Sequence, residues 1–171
     1  QIQAYAEYRS AVQLVHDGAI GKVKEVFSWQ SGSPRWRIVS DRPEGGDPVP
    51  KSVKGNNWLG VAPERPYKKE IYHPFSWRDW QDFSNGQLGD FGCHILDPVS
   101  MAVGLTAPTS ITADAPPINS ETWTHSARVK YVYPGNERTA GSTINVTWID
   151  GPGHKPVKEL AEIIDESKLP G

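Results

Sequence analysis

The sequence predicts an α+β fold in which a large, mostly antiparallel open sheet carries helices on one face. Residues 4–103 contain two helical patterns separated by one strand pattern, and residues 110–149 contain three strand patterns in succession. Successive strands with no helix between them favour an antiparallel meander, whereas strict alternation of strands and helices would favour a parallel sheet. The chain has 171 residues, which is long enough for one domain with a buried core. The other face of the sheet is expected to be solvated or covered by another subunit.

The chain opens with a helix and then a strand. Residues 4–16 repeat apolar side chains at helical spacing, and Gly18 suits the left-handed position that ends a helix. Residues 22–30 are rich in β-branched and aromatic side chains, which favour a strand.

Residues 31–83 have neither a helical nor a strand period and are rich in proline. Disordered segments are usually poor in aromatic residues, whereas this segment has many, so we expect an ordered loop anchored by aromatic side chains. A tryptophan in such a loop either covers a core or lines a pocket for a flat-faced ligand such as a sugar. The loop tryptophans in question are Trp36, Trp58, Trp77 and Trp80.

A second, longer helix is predicted for residues 85–103, with Gly104 as its stop. Pro98 is expected to kink this helix or to end its regular part, because its ring clashes with the carbonyl of His94. Strands are predicted at 110–115, 122–133 and 139–149.

A tight turn at 134–137 is expected to join the last two of these strands. Residues 156–168 carry a further helical stripe of apolar side chains.

Composition excludes several classes of protein. The net charge is −2, and no basic run suggests a nucleic-acid partner. No apolar stretch is long enough to span a membrane. The single cysteine, Cys93, cannot form an internal disulfide or a cysteine-based zinc site. A metal site that uses His73 or His125 with a carboxylate is geometrically possible, but no spacing selects it, so no metal is predicted.

The stretch GQLGDFGCHILDP, residues 86–98, carries the strongest chemical pattern. Asp90, His94 and Asp97 stand at i, i+4 and i+7 and therefore share one helix face. A carboxylate one turn before a histidine can fix its tautomer and raise the basicity of its other nitrogen, which is the arrangement of a general base. The glycines at 86, 89 and 92 would leave a bare surface for a planar ligand.

The alternative is a packed helix in which Asp90 interacts with the helix dipole and His94 is a core histidine. Spacing alone leaves both interpretations open.

Two long segments resemble one protein family. WLGVAPERPY (58–67) and YHPFSWRDWQDFSNGQLGDFGCHILDP (72–98) resemble the glucose–fructose oxidoreductase, inositol dehydrogenase and rhizopine-catabolism family, Gfo/Idh/MocA. YRSAVQLVHDGAIGKVKEV (8–26) resembles the family's junction between its two domains. The resemblance implies that residues 1–171 form one C-terminal domain, like that of glyceraldehyde-3-phosphate dehydrogenase, with substrate, catalytic and oligomerisation roles. It also implies that the N-terminal dinucleotide-binding domain is absent from this sequence.

The resemblance also implies roles for residues. The family's D-x-x-x-H motif falls on Asp90 and His94, with His94 as the acid/base for a substrate hydroxyl. The cofactor would be NAD or NADP, bound mainly by the absent domain, which also carries the family's catalytic lysine in a Glu-Lys-Pro motif. No cofactor-binding residue is assigned in this chain.

Candidate substrate-binding residues lie just upstream of the motif and on its helix. Tryptophan can stack on a sugar face, and arginine can bind hydroxyl or carboxylate oxygens. The candidates are Trp77, Arg78 and Trp80, with Tyr72, His73 and Asp97 as further members and a contribution from Trp36 and Arg37 left open. The alternative for Arg78 is a structural ion pair with Asp79 or Asp82.

The implied function is that of an NAD(P)-dependent oxidoreductase acting on a hydroxyl of a sugar or cyclitol. One alternative is an NAD-dependent glycosidase of the same family, which oxidises a ring hydroxyl transiently and releases the aglycone. Another is a sugar-binding or dimerisation module, because this chain alone is expected to be inactive. The expected partners are the sugar or cyclitol substrate and further copies of the chain, joined through the sheet. Cytoplasmic and periplasmic locations both fit.

Overall fold

The fold is described by a computed structural model for residues 2–30, 41–151 and 160. In chain order the elements are a 3-10 turn at Ile2–Ala4, α1 at Ala6–His16, β1 at Glu25–Gln30, α2 at Gly55–Leu59, a 3-10 turn at Ser76–Asp79, α3 at Gly86–Val103, β2 at Ser110–Asp114, β3 at Ala127–Pro134 and β4 at Thr143–Asp150. The predicted contribution of Trp36 and Arg37 lies outside the described residues. So does the predicted helix at 156–168, apart from Leu160.

The four described strands form one sheet in the order β1-β4-β3-β2. β2 pairs with β3 and β3 pairs with β4, both antiparallel, which confirms the predicted meander. β1 joins the other side of β4 in parallel, with Glu25 opposite Asn145 and Gln30 opposite Asp150. The sheet is therefore mixed but largely antiparallel, and the α+β prediction is confirmed.

The main core lies between the sheet and its helices. Ile144, Val146 and Trp148 alternate along β4 and are almost completely buried, and Ile149 on the opposite face is buried as well. β4 lies between β1 and β3, so both of its edges are paired, and the run of buried residues from Val146 to Asp150 shows that both of its faces are covered there. The long helix α3 packs against α1, β1 and β4, which places it over the β1 side of the sheet.

Helix α3 runs through Pro98 to Val103, so of the two expected outcomes, a kink or an end of the regular part, the end does not occur. A proline costs the helix one hydrogen bond and some steric strain. Here α1 holds the helix on both sides of the proline, since Tyr8 bonds Asp97 before it and His16 bonds the carbonyl of Met101 after it. The predicted stop is confirmed, because Gly104 adopts the left-handed conformation with φ 74 and ψ 45. Its N–H donates to the carbonyl of Ser100 at 2.9 Å.

The connection between β3 and β4 is longer than the predicted tight turn. Residues 135–142 form a loop in which the N–H of Gly135 donates to the carbonyl of Ser142 at 2.8 Å. Thr139 is buried in this loop, and its hydroxyl accepts from the N–H of Asn136 at 2.7 Å. A threonine expected to begin a strand therefore serves as a loop anchor instead.

The described part of the aromatic loop has a small core of its own, as predicted. Tyr72 and Trp80 lie 4.9 Å apart between ring centroids, and Phe83 lies 5.8 Å from Tyr72 and 5.1 Å from Trp58. Trp80 is completely buried, and its indole N–H donates to the carbonyl of Ile71 at 3.0 Å. Within the ranges described above, no helix combines the length and apolar character that a bilayer crossing requires.

Candidate active site

An open groove lies between helix α3 and strand β1. Helix residues 91, 94 and 95 recur at i, i+3 and i+4, so they line the side of α3 that faces β1. The groove is lined by Phe27, Ser28, Trp29 and Gln30 from β1 and by Phe91, His94 and Ile95 from α3. We call it the His94 groove.

His94 is half-buried in this groove. Its ring makes an edge contact with Phe91, with 6.2 Å between the ring centroids. Among the residues that the structure describes, no hydrogen bond or ion pair engages its ring nitrogens. Either nitrogen is therefore available to exchange a proton with a ligand in the groove.

Asp90 does not hydrogen-bond His94, so the predicted orienting pair is not formed. Its carboxylate accepts from the Nε of Arg78 at 2.7 Å, and both side chains are about three-quarters buried. The guanidinium of Arg78 lies 4.3 Å from the ring centroid of Trp77 and 4.3 Å from that of Phe75. A charged, planar guanidinium makes a stronger hydrogen bond to a carboxylate than a neutral imidazole does. This explains why Asp90 pairs with Arg78 rather than with His94.

Arg78 therefore forms an ion pair, as its structural alternative expected, but not with either of the two expected partners. The ion pair is with Asp90 rather than with Asp79 or Asp82.

Asp97 is also directed away from the groove. It accepts from the hydroxyl of Tyr8 at 2.7 Å and from the amide of Gln3 at 3.0 Å, so it joins α3 to the N-terminal segment. The hydrogen bond from Tyr8, followed by that from Gln3, lowers the pKa of Asp97. Burial, with the Asp97 contact adding to it, raises the pKa of Tyr8 to about 12. A substrate-binding role for Asp97 is therefore not supported.

The other predicted substrate-binding residues lie in three different places. Trp77 is partly exposed beside Arg78. Trp80 has no exposed surface and Tyr72 only 3%, so neither ring offers a face to a substrate. His73 makes an edge contact with Trp58, 6.1 Å between centroids, in a separate cleft.

That separate cleft lies within the aromatic loop, between residues 49 and 73. Its walls include Trp58, Tyr67 and His73 together with the buried Arg65. We call it the loop cleft. It has no lining residue in common with the His94 groove.

The glycines of α3 serve packing between protein groups. Gly86 has φ 69, and a Cβ there would lie 3.1 Å from Cγ of Trp123. A Cβ on Gly92 would lie 3.0 Å from the side chain of Leu88. The expectation that Gly86 and Gly92 bare a surface for a planar ligand was therefore wrong, because protein side chains already cover both.

Asp79 is a mostly buried carboxyl close to this region. Burial raises its pKa to about 6, and the charge of Arg78 opposes that rise. One of its oxygens, Oδ2, is buried and has no partner within the described ranges.

Sequence reasoning did not identify Phe27, Trp29 or Arg65. The i, i+2 spacing of Phe27 and Trp29 places both on one face of a strand, but only the topology shows that α3 lies beside it. No pattern distinguished Arg65 from other loop arginines. No cluster of three metal-binding side chains occurs in the part of the chain that the structure describes.

The fit to a nicotinamide cofactor is partial. The described residues contain no glycine-rich turn between a strand and a helix, so they offer no site for a dinucleotide pyrophosphate. The aromatic side chains and the available histidine of the His94 groove suit a flat ring or a sugar.

Comparison with known families identifies the family of the chain. The profile described as oxidoreductase family, C-terminal alpha/beta domain, GFO_IDH_MocA_C2, matches residues 7–168. The matched range spans the His94 groove and the loop cleft. No curated protein matched the chain.

Proposed function

Because the chain belongs to the Gfo/Idh/MocA oxidoreductase family as its C-terminal alpha/beta domain, we propose that it supplies the substrate side of an NAD(P)-dependent oxidoreductase. The substrate is a sugar or cyclitol hydroxyl, and His94 is the acid/base. The observation that carries this proposal is the placement of His94. Its ring lies in an open groove that Phe27 and Trp29 also line, and neither ring nitrogen has a hydrogen-bond partner among the described residues.

In this proposal His94 carries out one proton transfer, between its ring and the substrate hydroxyl. A neutral imidazole nitrogen accepts the proton of the substrate hydroxyl as the carbon bearing that hydroxyl becomes a carbonyl. The nicotinamide cofactor, when bound, takes the hydride from the same carbon. In the reverse direction His94 returns the proton. Histidine suits this task because it changes charge within the physiological pH range.

The walls of the groove are proposed to hold the sugar. Phe27 and Trp29 provide flat apolar faces for the ring, and Trp77 with Arg78 provides a second, partly exposed aromatic and cationic surface. Asp90 acts through Arg78, whose guanidinium it holds over Trp77, and is a positioning residue in this proposal.

The test is an activity screen on the full-length protein. The protein is incubated with NAD or NADP and a panel of free sugars, cyclitols and aryl glycosides, while reduced cofactor and released aglycone are followed together. Net cofactor reduction that is lost in His94→Ala supports the proposal. Aglycone release without net reduction would instead establish the glycosidase reaction, and activity indifferent to His94 would overturn the assigned role.

A further inference from the structure

Two polar side chains of the His94 groove have no protein partner. Ser28 keeps only 4% of its surface, and Gln30 is half-buried. Both line the groove, and neither side chain makes a hydrogen bond within the described ranges. Their polar atoms are not among the fully buried atoms that lack a partner, so these atoms keep contact with solvent at the groove. Since polar groups in such positions usually have a partner, two free ones in one groove point to a ligand.

Strand β1 sets the relative positions of these groups. Ser28 and Gln30 alternate with Phe27 and Trp29, so the two polar side chains share one face of the strand and the two rings share the other. β1 is the end strand of the described sheet. A groove that residues from both faces of an end strand line runs along the outer edge of that strand, and α3 places His94 beside it.

The spacing of the two polar residues suits one small ring. Residues two apart on a strand have their Cα atoms about 7 Å apart. A single sugar or cyclitol ring with its hydroxyls can bridge Ser28 and Gln30 over this distance. The aromatic side chains of the groove would then contact the apolar face of the ring.

The two side chains are chemically suited to hydroxyl groups. A serine hydroxyl both donates and accepts, and a glutamine amide has two N–H donors and a carbonyl acceptor. A sugar hydroxyl is also both a donor and an acceptor. Each of the two side chains can therefore bond a hydroxyl whichever way its hydrogen points, while a nitrogen of His94 accepts the proton of a third hydroxyl.

We propose that Ser28 and Gln30 determine the specificity of the His94 groove by binding two substrate hydroxyls other than the one that reacts. The substrate is accordingly a ring with at least three hydroxyls, and a simple cyclic alcohol is a poor ligand. This inference rests on the proposed function, because it concerns the same groove. It deepens that proposal by naming the groups that recognise the substrate.

The binding experiment is a ligand-observed NMR titration of the full-length protein. The probes are D-glucose, myo-inositol and cyclohexanol, the last being a six-membered ring with one hydroxyl. We expect saturable binding of D-glucose or myo-inositol and weaker binding of cyclohexanol. Cyclohexanol binding as tight as that of the better polyol, or no saturable binding of either polyol, would overturn the proposal.

Two variants test the residues themselves. Ser28→Ala removes only the hydroxyl, and Gln30→Met keeps a side chain of similar length without the amide. Each should weaken binding of the better polyol about fivefold, the loss usual for one neutral hydrogen bond, and leave cyclohexanol binding unchanged. Unchanged polyol binding in both variants would contradict the assignment. An equal loss for the polyol and for cyclohexanol would also contradict it, since it would show a structural role.

Matched controls make the same changes on α1, outside the groove. Ser10 and Gln13 are exposed on that helix, so Ser10→Ala and Gln13→Met should bind the polyol as the parent protein does. A loss in these controls equal to that in the groove variants would overturn the assignment.

The activity of His94→Ala separates this inference from the proposed function. Loss of activity in His94→Ala, together with unchanged polyol binding in both groove variants, would refute the roles of Ser28 and Gln30 alone. Activity indifferent to His94, together with weakened polyol binding in the groove variants, would refute the role of His94 and leave the binding assignment standing.

Discussion

Arginine side chains determine what the carboxylates near the candidate site do. Asp90 accepts from Arg78, and Asp82 is paired with Arg65 and lies 3.9 Å from Arg42. Both carboxylates are therefore occupied by guanidinium groups and are not available as bases. His94 is left as the titratable side chain that lines the groove and has no hydrogen-bond or ion-pair partner among the described residues.

Asp79 makes a pH-dependent contribution to stability. Its pKa in the folded protein is raised to about 6, mainly by burial, above the ordinary value near 4 for an unfolded chain. The folded state therefore binds the proton more tightly. The stability that this binding contributes is complete below about pH 4 and is lost as the pH rises through 6.

We expect Asp79→Asn to stabilise the protein at pH 7, because the amide removes a charge that is costly to bury. The expected gain in unfolding free energy is on the order of 1 kcal/mol, reduced by solvent screening of this partly exposed group. The gain should disappear near pH 4, where the carboxyl of the parent is protonated. Denaturant unfolding at the two pH values measures this, with Asp114→Asn on the exposed strand β2 as control. An equal effect at both pH values would contradict it.

At the scale of elements, α3 connects three parts of the molecule. Its residues Asp90, His94 and Asp97 share a face, yet Asp90 contacts the 3-10 turn at Ser76–Asp79, His94 faces β1 and Asp97 contacts the N-terminal segment. The i, i+4, i+7 spacing correctly placed the three residues on one face. It could not identify their partners, because those partners come from other parts of the chain.

The contact between Tyr8 and Asp97 is expected to couple α1 to α3. Tyr8→Phe and Asp97→Asn should each lower the melting temperature, and the double variant should lose little more than the more damaging single variant. Additive losses would show that the two groups act independently.

Because the folded pKa of Asp97 is lowered, the contribution of this carboxylate is present above its ordinary pKa. It is lost as the pH falls below that value.

Local chemistry explains which element boundaries were predictable. Gly104 ends α3 through a conformation that glycine favours by itself, so the sequence revealed it. β3 begins at Ala127 rather than at residue 122 because Thr122 instead forms a bridge with Trp80, and its backbone N–H donates to the side-chain oxygen of Asn119 at 2.7 Å. Such a boundary depends on tertiary packing, which no local pattern contains. The same holds for Arg65, whose ring contacts and ion pair bring together residues 65, 72, 82 and 83.

At the scale of the whole molecule, the exposed edge of the sheet suggests assembly. All five residues of β2 are exposed, and Ile111 within it retains 59% of its surface. Edge strands offer unpaired backbone groups, so an edge strand with an exposed isoleucine favours pairing with another chain. We propose that copies of the protein associate through this part of the sheet.

Light scattering of the protein as its gene encodes it tests this association. The expected result is a homo-oligomer that Ile111→Lys shifts towards the monomer without unfolding it. Ile20→Lys changes another exposed isoleucine away from the sheet and should leave the mass unchanged. A monomeric parent protein would contradict the association.

The central claim is that His94 exchanges the substrate proton. The most direct measurement is kcat for cofactor reduction by His94→Asn and by the parent protein, with the best substrate of the screen and with melting temperatures recorded in parallel. Our account predicts that kcat falls about 100- to 10,000-fold, the usual contribution of a general acid/base, while the melting temperature is unchanged. A kcat close to that of the parent protein, in a folded variant, would contradict it.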